Sequence, residues 1–457
     1  MLGTALDTAR ADTGRPSLIL VRTHIGFGSP YQDSFKAHGS PLGADNVLKT
    51  KQALGWPTEP AFLVPDDALA HMRDALVRGK QDEDAWNARM AAYVQAYPDL
   101  AKELQSSLSG ELPAGWDADI PTFPADAKGM ATREAGGKVI NAIAPKLPAL
   151  TGGSADLDPS TKTALKGLGD FNPGDAKDEQ GSDGGGWSYK GRNLHFGVRE
   201  HAMGAIANGL AAHGGFVPFG ATFMMFSDYM KPTIRLAALM NLHVLHIFTH
   251  DSIALGEDGP THQPVEQLAG LRAIPHLTVI RPGDANETAI AWRVACESSH
   301  RPVLLILSRQ SVPTLDRTKF ASADGLRKGA YVLSDADNGK PDLILIGTGA
   351  ETGLVVSAAE QLRGQGIAVR VVSMPSWDLF DAQAQAYRDS VFPPGVHARL
   401  AVEAGSPQGW HRYTGDGGDV LGVDRFGASA PAEVLLNEYG FTVDNVCARA
   451  KALLEKR

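Results

Sequence analysis

From about residue 130 to the C-terminus, short apolar runs of strand length alternate regularly with amphipathic stretches of helix length. The runs near 147–153, at 243–249 (HVLHIFT), 277–281 (LTVIR) and 302–308 (PVLLILS) read as buried strands. Stretches near 133–145 and 200–212 read as helices, the second with Ala202, Met203, Ile206, Ala207 and Leu210 at helical spacing. Such alternation predicts an α/β fold, a parallel sheet wrapped by helices. A second α/β unit is expected from about 341, where DLILIGTG and IAVRVVSM flank a helix over Glu351–Arg363. ARLAVEAG follows as a further strand, then helices over 431–439 and 443–455. Pro341 and the polar run Ser334–Lys340 are expected to separate the two units, and no short-period repeat is visible.

The chain before 130 reads differently. SLILVRT (17–23) predicts a buried strand closed by a turn at Gly26 and Gly28. A buried parallel strand needs neighbours on both edges, and almost no chain precedes this one. Residues 1–55 are therefore expected to be part of a domain and to pack poorly alone. Residues 57–127 predict a connector, with helices over about 66–79 and 83–108 followed by Pro113, Pro121 and Pro124. The Gly-, Asp- and Lys-rich stretch 161–191 reads as a mobile insertion.

Composition narrows the class. A chain of 457 residues with 43% hydrophobic side chains has material for two or three cores. A net charge of −9 argues against a nucleic-acid-binding surface, while leaving room for a local cationic pocket. Two distant cysteines, Cys296 and Cys447, make a disulfide framework unlikely to be the organising device and fit a reducing compartment. No apolar run reaches membrane-spanning length, so a cytoplasmic protein is expected.

Candidate chemistry gathers at predicted strand ends, where ligands of open α/β sheets sit. His250 and Arg309 each end a predicted strand, and with Arg133 they point to an anion such as a sugar phosphate. Taken alone, they could equally be ordinary surface cations. The loop THDSIALGEDGPTHQP (249–264) is dense in His, acids and hydroxyls. Zinc binding by His250, Asp258 and His262 is conceivable, although the spacing matches no compact metal motif. Glu200 opens a predicted helix, where the dipole favours a carboxylate. Phe223, Phe226 and Tyr229 recur at i, i+3 and i+6, which by spacing alone reads as a core stripe.

Eight ordered segments together resemble transketolase: THIGFGSP (23–30), KAHGSPLG (36–43), ATREAGGKVINAIAPKLP (131–148), GGSADLDPS (152–160), NLHFGVREHAMGAIANGLAAHGGF (193–216), TFMMFSDY (222–229), THDSIALGEDGPTHQPVEQL (249–268) and LSRQSVP (307–313). The resemblance runs on through DRFGASAP (424–431) and leaves out 161–191. It implies a remnant of a diphosphate-binding domain at 1–55, a helical connector at 56–127, a pyrimidine-binding α/β domain at 128–325 and a smaller C-terminal α/β domain at 326–457. The implied cofactor is thiamine diphosphate. Glu200 matches the glutamate that hydrogen-bonds the aminopyrimidine and favours its imino tautomer, whose nitrogen deprotonates the thiazolium carbon. Phe223, Phe226 and Tyr229 match the aromatic pocket around the pyrimidine, and Asp156 a cofactor-contacting acid. Arg133, Ser160, His250 and Arg309 match a substrate-phosphate clamp, and Asp258 a reader of hydroxyl stereochemistry. His38 and His262 match histidines at the donor carbonyl and hydroxyls, where protons move. The implied reaction transfers a two-carbon ketol unit from a ketose phosphate such as xylulose 5-phosphate to an aldose phosphate such as ribose 5-phosphate, in the pentose phosphate pathway or Calvin cycle.

The sequence departs from the family pattern at its start. The family's Gly-Asp-Gly motif and following Asn, which hold Mg²⁺ or Ca²⁺, lie N-terminal to the THIG segment, and only about 22 residues precede it here. The metal ligands are therefore expected in a missing domain, and several early histidines are also absent. Gly415-Asp416-Gly417 with Asn445 mimics the motif at a position where the family has no cofactor site. Three accounts of the missing part stand: a truncated piece or partial gene product, which is favoured; one subunit of a split enzyme; or a non-catalytic sugar-phosphate-binding remnant. The implied partner is a second copy in a homodimer, or a complementing N-terminal chain. Dihydroxyacetone synthase shares fold and cofactor. Deoxyxylulose-phosphate synthase is disfavoured by TFMMFSDY and the 249–264 loop, and a 2-oxoacid dehydrogenase β subunit by the pentose-phosphate signature.

Overall fold

The computed structural model describes residues 1–174, 185–337 and 339–455. It divides into two units, Met1–Ala96 and Tyr97–Arg457, each described by itself.

In the first unit, α1 spans Leu2–Ala11, α2 Ala44–Ala53 and α3 Asp66–Ala96. The strand expected at 17–23 does not form: the segment joins no ladder, and Leu18, Leu20 and Val21 are exposed. An apolar run becomes a strand only when a neighbour completes its hydrogen bonds, and among the described residues of this unit no strand exists to do so. Gly26 and Gly28 do make the expected turn, both at positive φ, and a Cβ on Gly28 would lie 2.6 Å from Leu54 Cδ2. The two helices expected over 66–108 are divided elsewhere. Gly79 leaves α3 continuous, since an internal glycine costs only about 1 kcal/mol and removes no hydrogen bond. The break comes at Pro98, whose missing N–H suits the first position of the next helix.

The second unit opens with α4 (Pro98–Ser109), closed by left-handed Gly110. There follow β1 (Asp126–Ala131), α5 (Thr132–Ile143), β2 (Leu150–Ser154), α6 (Asp158–Thr161), β3 (Asp170–Phe171), β4 (Trp187–Ser188), α7 (Glu200–His213), β5 (Val217–Phe223) and α8 (Ser227–Leu239). Next come β6 (Leu245–Thr249), α9 (Gln267–Arg272), β7 (Thr278–Ile280), α10 (Ala285–Glu297), β8 (Val303–Leu307) and β9 (Ser311–Thr314). The strands β2-β5-β6-β8-β7 form a wholly parallel sheet in that order. Apolar cores cover both faces, one around Ile140, Trp292 and Leu305, the other around Met203, Ile234 and Leu304. Each such fully buried side chain contributes roughly 1.5–3 kcal/mol.

β5 escapes the sequence reading, because Pro218 and Gly220 argue against a central strand. Both are accommodated locally. Pro218 precedes the ladder to β6, which starts at Phe219, and Gly220 lets Met203 approach to where a Cβ would be 3.0 Å away. The flanks of the 161–191 stretch are ordered into the fold. β3 pairs with β4, and the Asn193 carboxamide binds the main chain of Leu165 and Gly169. Of the insertion expected to be mobile over 161–191, residues 175–184 lie outside the described residues.

The second sheet comprises β10 (Tyr331–Ser334), β11 (Leu343–Gly347), β12 (Val369–Ser373), β13 (Arg399–Val402) and β14 (Asp419–Leu421), in the order β10-β12-β11-β13-β14. Helices α11 (Glu351–Arg363), α12 (Trp377–Asp381), α13 (Gln385–Val391), α14 (His411–Thr414), α15 (Ala432–Glu438) and α16 (Val443–Glu455) accompany it. β10 is antiparallel to β12 and the remaining pairs are parallel. The polar run 334–340 thus links two strands of this sheet, so the sheet begins before the boundary that the run was expected to mark.

Candidate functional site

Because the first sheet is wholly parallel, every strand delivers its carboxyl end to one edge. Phe223 closes β5, His250 follows β6, Arg309 follows β8 and Asp156 follows β2. Arg133 joins them through a local lock. Thr132 N donates to Ser308 Oγ at 3.0 Å, and Ser308 N donates to Thr132 Oγ1 at 2.7 Å. With β1 antiparallel to β9, this holds the start of α5 against the end of β8.

The cations feel one another. His250 is buried, and its imidazole is pushed down to about 3 by burial first, then by Arg133, Arg309 and His262. Burial also lowers Arg133, with Glu134 opposing and Arg309 adding to the effect. Arg133 Nη1 donates to the Ser160 carbonyl at 2.8 Å, and Arg309 Nη1 to the Leu255 carbonyl at 3.1 Å. Among the described residues neither guanidinium sits in an ion pair. Arginines that converge without a direct ion pair are chemically ready for an external anion.

Beside them lies an aromatic stair. Phe223 and Phe226 stack at 5.8 Å, Phe226 and Tyr229 at 6.0 Å, and His262 meets Phe226 edge-on at 5.4 Å. The Phe223 ring lies against His250 with centroids 3.6 Å apart. The single helical face suggested by the spacing is not what places these rings. Phe223 ends a strand, Phe226 lies in a 3-10 turn and Tyr229 is on α8. Nor is the whole stair core: Phe223 is buried and Phe226 half-buried, but Tyr229 is 65% exposed. A stacked, partly open stair offers a flat heterocycle a face.

Glu200 begins α7, which packs on β5 and α8, and it is 8% exposed. Among the described residues no hydrogen bond or ion pair engages its carboxylate. The helix N-terminus favours the charge, and the carboxylate remains free to accept from a ligand.

Other expected residues are less gathered. Asp258 is exposed on a turn between Gly256 and Gly259, both at positive φ. Asp156 is exposed with φ 61, and Ser160 is half-buried with its carbonyl taken by Arg133. His38 lies in the first unit, exposed after a 3-10 turn. Asn445 donates to Gly440 O as a local cap, while Asp416 lies in the turn before β14. Among the described residues no three His, Cys, Asp or Glu side chains form a metal-holding group.

Two features escaped the sequence. Gln263 ties the 249–264 loop to the second sheet's side, its Nε2 donating to Gly256 O at 2.8 Å and Ala428 O at 2.9 Å. A buried ion network around Arg281 joins the strand ends of the two sheets. Neither has a signature in one sequence, since the partners on the second sheet's side lie 67 to 165 residues away.

Fold and site together define a parallel α/β protein with arginines, histidines and a stair of stacked rings gathered at its strand ends. Residues 128–314 match the family described as "Transketolase, pyrimidine binding domain". Residues 329–442 match "Transketolase-like TK C-terminal domain", and residues 1–113 match "Transketolase, thiamine diphosphate binding domain". The chain is 53% identical over 457 residues to a transketolase of Geobacillus stearothermophilus, covering 100% of this chain and 66% of that protein. It is 48% identical to a chloroplastic transketolase of Craterostigma plantagineum, covering 98% of this chain and 84% of that protein. The structure of transketolase from Leishmania mexicana aligns with a TM-score of 0.90 at 42% identity, covering 100% of this chain and 64% of that one. The chain belongs to the transketolase family. It spans just under two thirds of the length of the Geobacillus relative.

Proposed function

We propose that the chain carries the pyrimidine-side and phosphate-side groups of a transketolase. The reaction transfers a two-carbon ketol unit from a ketose phosphate, such as xylulose 5-phosphate, to an aldose phosphate, such as ribose 5-phosphate. The observation that carries this reading is the pairing, at one sheet edge, of Arg133 and Arg309, neither in an ion pair among the described residues, with the Phe223–Phe226–Tyr229 stair.

Thiamine diphosphate fits these residues: the stair would hold the pyrimidine face, and unpartnered Glu200 would accept the ring's hydrogen bond. When bound, the cofactor supplies the carbon nucleophile that the side chains lack. Asp156 is assigned to the cofactor as well. Arg133, Arg309, His250 and Ser160 bind and orient the sugar phosphate. The two guanidiniums carry the charge there, because His250 is neutral at physiological pH. His262, edge-on to the stair, and His38 exchange protons with donor oxygens, and Asp258 reads hydroxyl stereochemistry. Among the described residues no three His, Cys, Asp or Glu side chains form a metal-holding group, so no step is assigned to a metal here. The partner is a second copy or a chain supplying a first domain, and the setting is cytoplasmic. No described helix is long and apolar enough to cross a membrane.

The test is ketol transfer from xylulose 5-phosphate to ribose 5-phosphate with thiamine diphosphate and Mg²⁺. The chain is assayed alone and with a separately expressed first domain of a related transketolase. Transfer only on complementation, abolished by Glu200→Gln, is the expected result. Transfer to formaldehyde in preference to ribose 5-phosphate would favour dihydroxyacetone synthase.

A further inference from the structure

His250 has φ 61, in the left-handed region that a non-glycine residue enters at a cost of about 1–2 kcal/mol. Such a conformation persists only where the surroundings fix it. Before it, Thr249 is locked in β6, and its Oγ1 meets His250 Nδ1 at 2.8 Å. After it comes Asp251, a buried carboxylate whose Oδ2 accepts from Arg281 Nε at 2.9 Å and Nη2 at 2.7 Å. Both flanks of His250 are pinned, and the second pin is Arg281.

Arg281 follows β7 and is fully buried. The far side of its guanidinium belongs to the second sheet. Nη1 donates to Glu351, in the first turn of α11, and to Thr348 O at 3.1 Å, just past β11. Its main chain is held as well: Arg281 N donates to Pro375 O at 2.8 Å, and Gly349 N donates to Arg281 O at 3.1 Å. Gly349 has φ 55, and a Cβ there would lie 2.5 Å from Arg281 Nε, so only glycine permits this approach. Glu403, at the end of β13, stands 3.9 Å away and is itself held by Arg272 at 2.8 Å. Burial pushes the Glu351 carboxyl up despite Arg281, whereas at Glu403 the opposing burial is outweighed by Arg272 and Arg281, which hold it down.

Two arginines and three carboxylates buried together are a poor source of net stability, since desolvation consumes most of their attraction. What they do supply is fixed geometry between two sheets.

We infer that Arg281 is a positioning residue: through Asp251 it transmits the placement of the β11–α11 turn to His250, so that the second sheet sets the geometry of the anion-binding cluster. This rests on the proposed sugar-phosphate reading only in taking His250 to meet the phosphate.

The test uses the whole 457-residue chain carrying Arg281→Lys or Glu351→Gln. His250 side-chain resonances are followed by NMR during titration with inorganic phosphate, with buried His246 on the same strand as an internal reporter of folding. A lysine keeps the charge but not the fork, so it reaches Asp251 or Glu351, not both. Both variants are expected to shift the His250 resonances, leave those of His246 in place and weaken phosphate binding on the order of tenfold. The inference is overturned if His250 does not move and phosphate affinity stays within about twofold, the scatter of independent sites. Should Arg281→Lys not fold, Glu351→Gln decides alone, because it leaves the Arg281–Asp251 fork intact. If the unmodified chain binds no phosphate, the sugar-phosphate reading fails, and the His250 shift still decides positioning.

Discussion

Two histidines show how burial sets chemistry at single residues, alone at one and with neighbouring charge at the other. His246 is fully buried on β6, and burial pushes it down to about 4. Among the described residues neither ring nitrogen has a hydrogen-bond partner. Its folded value lies below its unfolded value of 6.5, so the unfolded chain takes a proton that the folded chain refuses. Stability is therefore whole above about pH 6.5 and falls as pH drops toward 4, by about 1.4 kcal/mol per pH unit for this one group. His246→Leu should flatten that acid limb by one proton. It should also raise stability at pH 5 by roughly 1–3 kcal/mol, because two unsatisfied nitrogens disappear. Urea unfolding at pH 5 and pH 7 checks this. At His250 neighbouring charge adds to burial. Removing one cation by Arg309→Gln should raise the His250 value, yet leave it below 6.5, since burial is the larger cause. An NMR pH titration reads the direction, and a fall or no change would mean that Arg309 does not face the imidazole.

At the scale of elements, pairing separates two apolar runs of similar composition. SLILV joins no ladder and is largely exposed, whereas LILIG of β11 is bracketed by β12 and β13 and fully buried. Amide exchange should be close to the unprotected rate over 17–23 and slowest over 343–347, by several orders of magnitude. Strong protection over 17–23 in the isolated chain would mean that the segment has found a partner. Proline and glycine act by position in the same way: Pro98 opens α4, Gly79 passes unnoticed in α3, and Pro218 and Gly220 sit inside a central strand.

Across the whole second unit, function depends on how the two sheets meet. Gln263 is one joint, reaching from the 249–264 loop to the stretch at 427–428. A Cβ on Gly427 would fall 1.6 Å from Gln263 Oε1, so Gly427→Ala must displace that carboxamide. The expected cost is about 1–3 kcal/mol, with disturbed resonances in the 249–264 loop, readable from the denaturant midpoint and from NMR. A variant as stable as the parent would show that the loop does not rely on this joint.

Local pattern determined much of this protein. The βα alternation, the strands at 245–249 and 303–307, the helices after Glu200 and Glu351, and His250 and Arg309 at strand ends follow from periodicity and side-chain size. Those are properties of neighbouring residues, so a single sequence displays them. Resemblance added the stair and Glu200, whose roles no spacing reveals. Tertiary structure alone decided the rest: β5 as a central strand despite its proline, the absence of a strand at 17–23, the joining of 331–334 to the second sheet, and the Arg281 network. Each depends on a partner distant in sequence, and hydrogen-bond completion and charge pairing are settled only when the chain has brought that partner into reach.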